Sequence, residues 1–380
     1  MKVKYLIDRE LYTKITEKLY RGRALIVTGP RQVGKTTLIR KILSTSGKNF
    51  IEFTGDEPDI RSLLNSPTST RIKDLIAGAQ IVCIDEAQRI PNIGITLKLI
   101  VDQIPEVQVI ASGSSSFELA AGISEALTGR KFEFRLLPLS WKERSDYFGR
   151  LEEKRLLEKR LIFGSYPEIT LAQNEERDLL QELAGSYLYR DLLTLDQLRK
   201  PAVLDKLLQA LALQVGSEVS FQELSRTIGI DNQTIERYVD LLEKAFVIFR
   251  LPAFSRNIRN EIRKGKKFYF YDNGIRNAVI NNFSPLQSRS DTGALWENYL
   301  ISERIKKLFY RNPYTRSYFW RTTQQQEVDY IEEHEGELSG WEFKWNPHAK
   351  HRSLPRTFTR NYKPRATEII SPDNYEGFLH

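Results

Sequence analysis

Ala24-Leu25-Ile26-Val27-Thr28-Gly29-Pro30-Arg31-Gln32-Val33-Gly34-Lys35-Thr36-Thr37 is the stretch that decides the fold. Its apolar first half reads as a buried strand, and its second half fits GxxxxGK[ST] and opens a helix, the one setting in which that pattern has a mechanism. In such a loop the backbone N–H groups and the helix N-terminus form a concave array of positive partial charge that suits phosphate. The loop Gly29, Pro30, Arg31, Gln32, Val33 and Gly34, with Lys35, Thr36 and Thr37, is therefore expected to hold ATP. Lys35 would reach the β- and γ-phosphates and the Thr36 hydroxyl would ligate Mg²⁺.

Working outward, ALIVTG, NFIEFTG, QIVCIDE, VQVIASG and FEFRLLP alternate with polar or amphipathic stretches between residues 24 and 137. That alternation predicts a parallel sheet covered by helices, an α/β class. Ile81-Val82-Cys83-Ile84-Asp85-Glu86 supplies a second half of the nucleotide site: Asp85 would hold Mg²⁺ and Glu86 would be the base that orients water. Cys83, the single cysteine, reads as a small core residue. The strand ending in Ala111-Ser112-Gly113-Ser114 offers Ser112 or Ser114 to the γ-phosphate or the lytic water; the same residues also suit a helix N-cap. Arg130, before the last strand, reads either as a charge-stabilising finger for a neighbouring subunit, which implies a homo-oligomer, or as a surface cation.

Composition narrows the class. The chain has 380 residues, 41% apolar and 28% charged, as expected of a globular protein of about two to four units. One cysteine and four histidines, none of them paired at ligand spacing, exclude a disulfide framework and a cysteine or histidine zinc cluster. No apolar run reaches the ~18 residues of a membrane helix, and charges interrupt the first twenty residues, so the expected location is cytoplasmic, with no membrane. The net charge is +8, and residues 256 to 380 carry 21 Lys and Arg against 15 Asp and Glu. A basic C-terminal third suggests an anionic partner there.

Four segments follow from changes of pattern: 1–140 as the nucleotide-binding core, 141–215 as a helical lid or connector, 216–255 in the order of a winged helix-turn-helix, and 256–380 as a separate α/β domain. In the third, Asn232, Gln233, Thr234 and Arg237 would face bases, but Asp231, Glu236, Asp240 and Glu243 outnumber Arg237 and Lys244, so protein packing is the other reading. Arg256, Arg259, Arg263, Lys264, Lys266 and Lys267, and then Lys344, Lys350, Arg352, Arg356, Arg360, Lys363 and Arg365, form two basic clusters. Trp345, His348, Phe358 and Tyr362 lie among the latter, able to stack on bases or to anchor a loop. DNA is the preferred partner.

GPRQVGKTT, VCIDEAQRI, ASGSSSFEL and LTGRKFEF resemble the blocks of the AAA+-type P-loop ATPase family of bacteria and archaea. FGSYPE (163–168), YLYRDL (187–192), FYFYDNGIRN (268–277), GALWENYLISE (293–303) and EVDYI resemble the uncharacterised domain that usually follows it. The resemblance covers nearly the whole chain and implies an ATPase core, a winged helix and a C-terminal restriction-endonuclease-like fold of PD-(D/E)xK type. The residues in question are Asp329, Glu342 and Lys344, with Glu297 from the preceding helix. A hairpin turning between Glu332 and Gly340 allows a check. One register sets Asp329 opposite Glu342, two carboxylates that a bridging cation would relieve; a shift of two sets Asp329 opposite Lys344 in a plain ion pair. Glu327-Val328 stands where the fullest form of the motif has a proline before the aspartate, and a second catalytic cation is not evident. The function expected is an ATPase acting on or with DNA; the alternative is an ATP-dependent switch or scaffold whose nuclease-like domain is inactive.

Overall fold

A computed structural model describes residues 6–113, 125–195, 201–255, 265–347 and 353–380. The chain divides into two compact units, one made mostly of Met1–Pro138 and the other mostly of residues from Leu139 to His380.

The first unit holds β1 (Ala24–Thr28), β2 (Phe50–Thr54), β3 (Ile81–Asp85), β4 (Gln108–Gly113) and β5 (Lys131–Arg135). They form one sheet in the order β2-β3-β4-β1-β5, every pair parallel. All five strands read from the sequence are present. The three inner strands are buried nearly throughout while β2 and β5 are partly exposed, which explains why the inner ones are near-continuous apolar runs. Ile26, Val82, Ile84 and Val109 pack with Ile93, Leu97 and Ile100 of helix Ile93–Gln103 in one core cluster. Because β4 lies between β1 and β3, the carboxyl ends of these three strands sit side by side. The loop after β1, the end of β4 and the tip of β3 are thereby brought together.

In the second unit the stretch expected as a lid is helical and joins that unit's own core. Helices Trp141–Phe148, Arg150–Arg155 and Leu157–Phe163 surround a buried ionic network with helix Thr292–Arg311. Arg144, wholly buried, pairs with Glu153 at 2.5 Å and Glu303 at 3.2 Å, while Arg160 meets Glu153 at 3.0 Å and Lys306 meets Glu303 at 2.7 Å. Such a network is tolerable in a core only because each charge has several partners. Two blocks of the family resemblance also meet: Asp272 accepts from the Ser165 amide at 2.6 Å. Gly164 has φ 74°, and a Cβ there would lie 2.0 Å from an Asp272 oxygen, so glycine is required.

β6 (Glu218–Val219), β7 (Ile248–Pro252) and β8 (Lys266–Phe270) form an antiparallel sheet in the order β6-β8-β7, with helices Phe221–Ile228 and Asn232–Lys244 between β6 and β7. β8, read from the sequence as opening the last segment, thus pairs with the strand before it. Helix Thr292–Arg311 is followed by β9 (Arg316–Arg321), β10 (Glu327–His334), β11 (Glu337–Phe343), helix Arg356–Tyr362 and β12 (Ala366–Ile370). The sheet is mixed, in the order β12-β11-β10-β9, with β11 and β12 parallel and the rest antiparallel. Among the described residues no helix is long and apolar enough to cross a membrane.

Candidate functional site

At the carboxyl end of the parallel sheet the loop after β1 closes into helix Lys35–Thr45. Gly34, at its N-cap, has φ 95°, a conformation that glycine adopts without strain. Gly29 is required for another reason: a Cβ there would lie 2.0 Å from the Leu136 carbonyl oxygen. The Lys35 ammonium, 6% exposed, donates to the carbonyls of Gly29 at 2.8 Å and Pro30 at 2.7 Å. It is held inside the loop, where a phosphate chain would meet it.

Asp85 is the convergence point of three elements. Its carboxylate accepts from the Thr36 hydroxyl at 2.7 Å, from the Glu86 amide at 3.0 Å and from the Ser112 hydroxyl. A hydroxyl and a carboxylate in contact beside an anion cradle are hard oxygen donors, the set that Mg²⁺ prefers. Glu86 stands just beyond, in the left-handed region at φ 48°, and its carboxylate accepts from Gln88 at 2.6 Å. Gly55 is needed beneath it, since a Cβ there would lie 2.3 Å from the Glu86 carbonyl oxygen. A non-glycine residue held in that conformation marks a position that the surrounding structure over-determines.

Lys35, Thr36, Asp85, Glu86 and Ser112 are therefore brought together. Ser112, fully buried, is turned toward Asp85. Ser114 lies outside the described residues. Arg130 stands at the amino end of β5, beside Ala24 at the start of β1, and so at the opposite end of the strands from the phosphate loop; it pairs with Asp102 at 2.6 Å. Cys83 is buried in β3, and burial pushes its thiol far up, as a core residue requires.

A second charged centre lies within the second unit. β10 and β11 pair Tyr330 with Trp341 and Glu332 with Ser339, the register expected to set Asp329 against Glu342. Asp329 accepts from the Phe343 amide at 2.7 Å, and Lys344 donates to Glu342 at 2.7 Å. Burial first, then the Glu297 and Glu342 carboxylates, push Asp329 well above the usual carboxylate range. The cation that faces these acids is Lys267, 2% exposed, which meets Glu297 at 3.2 Å and also Glu327. Burial pulls its ammonium down, but Glu297, Glu327 and Asp329 outweigh that and hold it above the ordinary lysine value. Tyr269 adds a hydroxyl to Glu297 at 2.6 Å. Among the described residues no three His, Cys, Asp or Glu side chains form a metal-holding group. Asp329, Glu342, Lys344 and Glu297 share one neighbourhood, but its buried cation is a lysine.

This corrects one reading of the basic clusters: Lys267 is buried in ion pairs and is not part of a surface for polyanions. Phe358 is likewise core, fully buried and 5.3 Å from Trp320. Arg356, Arg360, Lys363 and Arg365 are exposed, Arg365 being paired with Glu337 at 2.7 Å. Arg256, Arg259, Arg263, Lys264, His348, Lys350 and Arg352 lie outside the described residues. Arg250 of β7 pairs with Asp240 and Glu243 of helix Asn232–Lys244, which relieves part of that helix's acidity, and Thr234 is engaged by Asp231 at 2.7 Å. Arg9 had no part in the sites read from the sequence, Lys267 entered them only as a surface cation and Glu327 only as the neighbour of an expected metal ligand. No motif announces Arg9; for Lys267, a lysine alternating with tyrosines in a strand apolar on its other face, KKFYFY, was the available signal.

Residues 21–145 match the family described as an AAA domain, and residues 154–286 and 292–373 match two domains of unknown function, DUF8612 and DUF4143. Uncharacterized protein Rv2008c of Mycobacterium tuberculosis and Mb2031c of Mycobacterium bovis are each 30% identical over 344 residues, spanning 88% of this chain and 73% of theirs. Uncharacterized protein MJ1544 of Methanocaldococcus jannaschii is 25% identical over 83% of this chain and 73% of its own. Among solved structures, the Walker-type ATPase paby2304 of Pyrococcus abyssi superposes with a TM-score of 0.52 at 16% identity, covering 73% of this chain and 97% of that one. That likeness shows a shared fold.

Proposed function

The chain belongs to the family of AAA-domain proteins that includes these mycobacterial relatives, and from that premise we propose that it hydrolyses ATP at Lys35, Thr36, Asp85 and Glu86 in the service of a nucleic-acid partner. The observation that supports the first part is the 2.7 Å hydrogen bond between Thr36 and Asp85, because it brings together the phosphate loop and the acidic strand end, the two groups that would hold one cation. Thr36 and Asp85 would hold Mg²⁺, which would supply charge neutralisation at the phosphates. Lys35 binds the phosphates as a point cation. Glu86 accepts a proton from the attacking water, while Ser112 holds Asp85 in place. Arg130, at the amino ends of the strands and so away from this copy's phosphate loop, would act on a neighbouring copy.

Support for the partner comes from the second unit. Its helix pair flanked by a three-stranded sheet has the order of a winged helix, and helix Thr292–Arg311 with β9 to β12 has the order of a restriction-endonuclease-like fold. An open cleft of about 660 Å³ is lined by Arg316, Lys363 and Arg365 with the half-buried Tyr362, cationic and aromatic groups of the kind that meet phosphates and bases, and also by Glu333 and Glu337, the latter paired with Arg365. The test is ATP turnover with and without single-stranded, duplex and branched DNA at stated salt, since phosphate contacts weaken as salt rises. Stimulation supports the proposal; turnover indifferent to all three counts against the partner.

One observation favours a non-cutting role for the nuclease-like centre. Lys267 pairs with Glu297 and Lys344 with Glu342, so two of the three acids that would hold a metal already have a cation. The second unit would then bind its partner without cleaving it. Mg²⁺- or Mn²⁺-dependent cleavage of DNA, lost in Glu342→Ala, would contradict this.

A further inference from the structure

Arg9 lies within the first unit, 9% exposed, at no position that a motif marks. One guanidinium nitrogen donates to the Val33 carbonyl at 2.6 Å and the other to the Leu137 carbonyl at 2.5 Å. Val33 is inside the phosphate loop, whereas Leu137 is on the segment that leaves β5. That segment is itself anchored, since the Leu136 amide donates to Thr28 at 2.7 Å and its carbonyl closes on Gly29. Arg9 therefore ties the phosphate loop to the anchored segment that follows β5.

The consequence follows from peptide geometry. The Val33 carbonyl and the Gly34 N–H belong to one planar trans peptide and so point in opposite directions. A guanidinium that holds the carbonyl on its side turns the Gly34 N–H toward the other side, the hollow of the loop. The same guanidinium lies against Gly34, where a Cβ would sit 3.7 Å from it, so its charge also adds to the positive potential of the loop. Charge-assisted bonds of this kind are the stronger ones, and a planar fork can hold two carbonyls at once where an ammonium cannot.

We infer that Arg9 is a positioning residue of the nucleotide site, which orients the Val33–Gly34 peptide so that its N–H faces the phosphates. The inference rests on the reading of the loop as an ATP site. Steady-state kinetics of the full chain, parent against Arg9→Lys and Arg9→Gln, tests it. Loss of orientation weakens binding of substrate and transition state alike, so KM for ATP is expected to rise about tenfold in Arg9→Lys with kcat within about twofold. Arg9→Gln, which can reach only one carbonyl, is expected to show a rise of at least that size. A purely structural role would instead reduce the active fraction, lowering kcat with KM unchanged. Either that pattern or an unchanged KM in both variants overturns the inference while leaving the ATP site standing. A parent protein that neither binds nor turns over ATP defeats the underlying reading as well.

Discussion

Thr36 and Asp85 stand 49 positions apart in the chain and are joined by a hydrogen bond of 2.7 Å. Two parallel strands separated by β4 bring them there, so the contact depends on the strand order and not on local sequence. Lys35 is held in the same loop by the Gly29 and Pro30 carbonyls. Replacing it with alanine removes the cation that the loop itself holds among its N–H dipoles. ATP affinity should fall on the order of a hundredfold, as for loss of a charge-assisted contact, with the folded chain intact. Titration calorimetry checks this, and unchanged affinity removes the phosphate-loop assignment.

Ser112 tests the geometry of Asp85. Its hydroxyl and that of Thr36 each hold one carboxylate oxygen. In Ser112→Ala the carboxylate loses one restraint, and the Mg²⁺ concentration for half-maximal turnover should rise about tenfold, the equivalent of one hydrogen bond to a charged group. A Mg²⁺ dependence identical to the parent's would mean that Ser112 does not act through Asp85.

Lys267→Met removes the buried ammonium that meets the half-buried Glu297 and Glu327, the latter keeping Arg321 at 3.7 Å. Breaking a fully buried pair from one side costs about 3–5 kcal/mol, so with these acids partly solvated the denaturant midpoint of the second unit should drop by less than that cost implies. The double variant Lys267→Met/Glu297→Gln should recover part of that loss. A Lys267→Met chain as stable as the parent would show that the acids do not depend on the lysine.

Asp329 gives the second unit a pH dependence of known sign. Burial and the nearby Glu297 and Glu342 hold its folded pKa above the unfolded value, so the folded state binds the extra proton. Its contribution to stability is full below the ordinary aspartate range and is lost as pH rises through the raised folded pKa. Asp329→Asn, which stays neutral, should flatten this decline in a series of melts across that range. A decline as steep in the variant as in the parent would exclude Asp329 as its source.

The phosphate loop and β3 could be read from the sequence because each is a local pattern, an apolar run ending in residues whose chemistry is fixed by type. The register of β10 and β11 was legible as one of two options, since alternation with period two permits shifts of two; the buried Tyr330 and Trp341 share a face in the one observed. Lys267 was misread because charge counting along the chain cannot tell a surface lysine from one that the fold turns inward. Arg9 was out of reach for a related reason: its partners are backbone carbonyls, which carry no sequence signal. Asp272 and Gly164 show the reverse case, where a block that looks like a functional signature is accounted for by close packing.

The central claim is that Glu86 activates water at a site built by Lys35, Thr36 and Asp85, and the Glu86→Gln variant tests it most directly. The amide keeps the shape of the side chain but cannot take a proton, a function worth typically 10²–10⁴-fold in rate. ATP affinity and Mg²⁺-dependent turnover measured side by side on parent and variant should show equal binding and turnover reduced by at least a hundredfold, on the order of that loss. Turnover at the parental rate in Glu86→Gln would contradict the account.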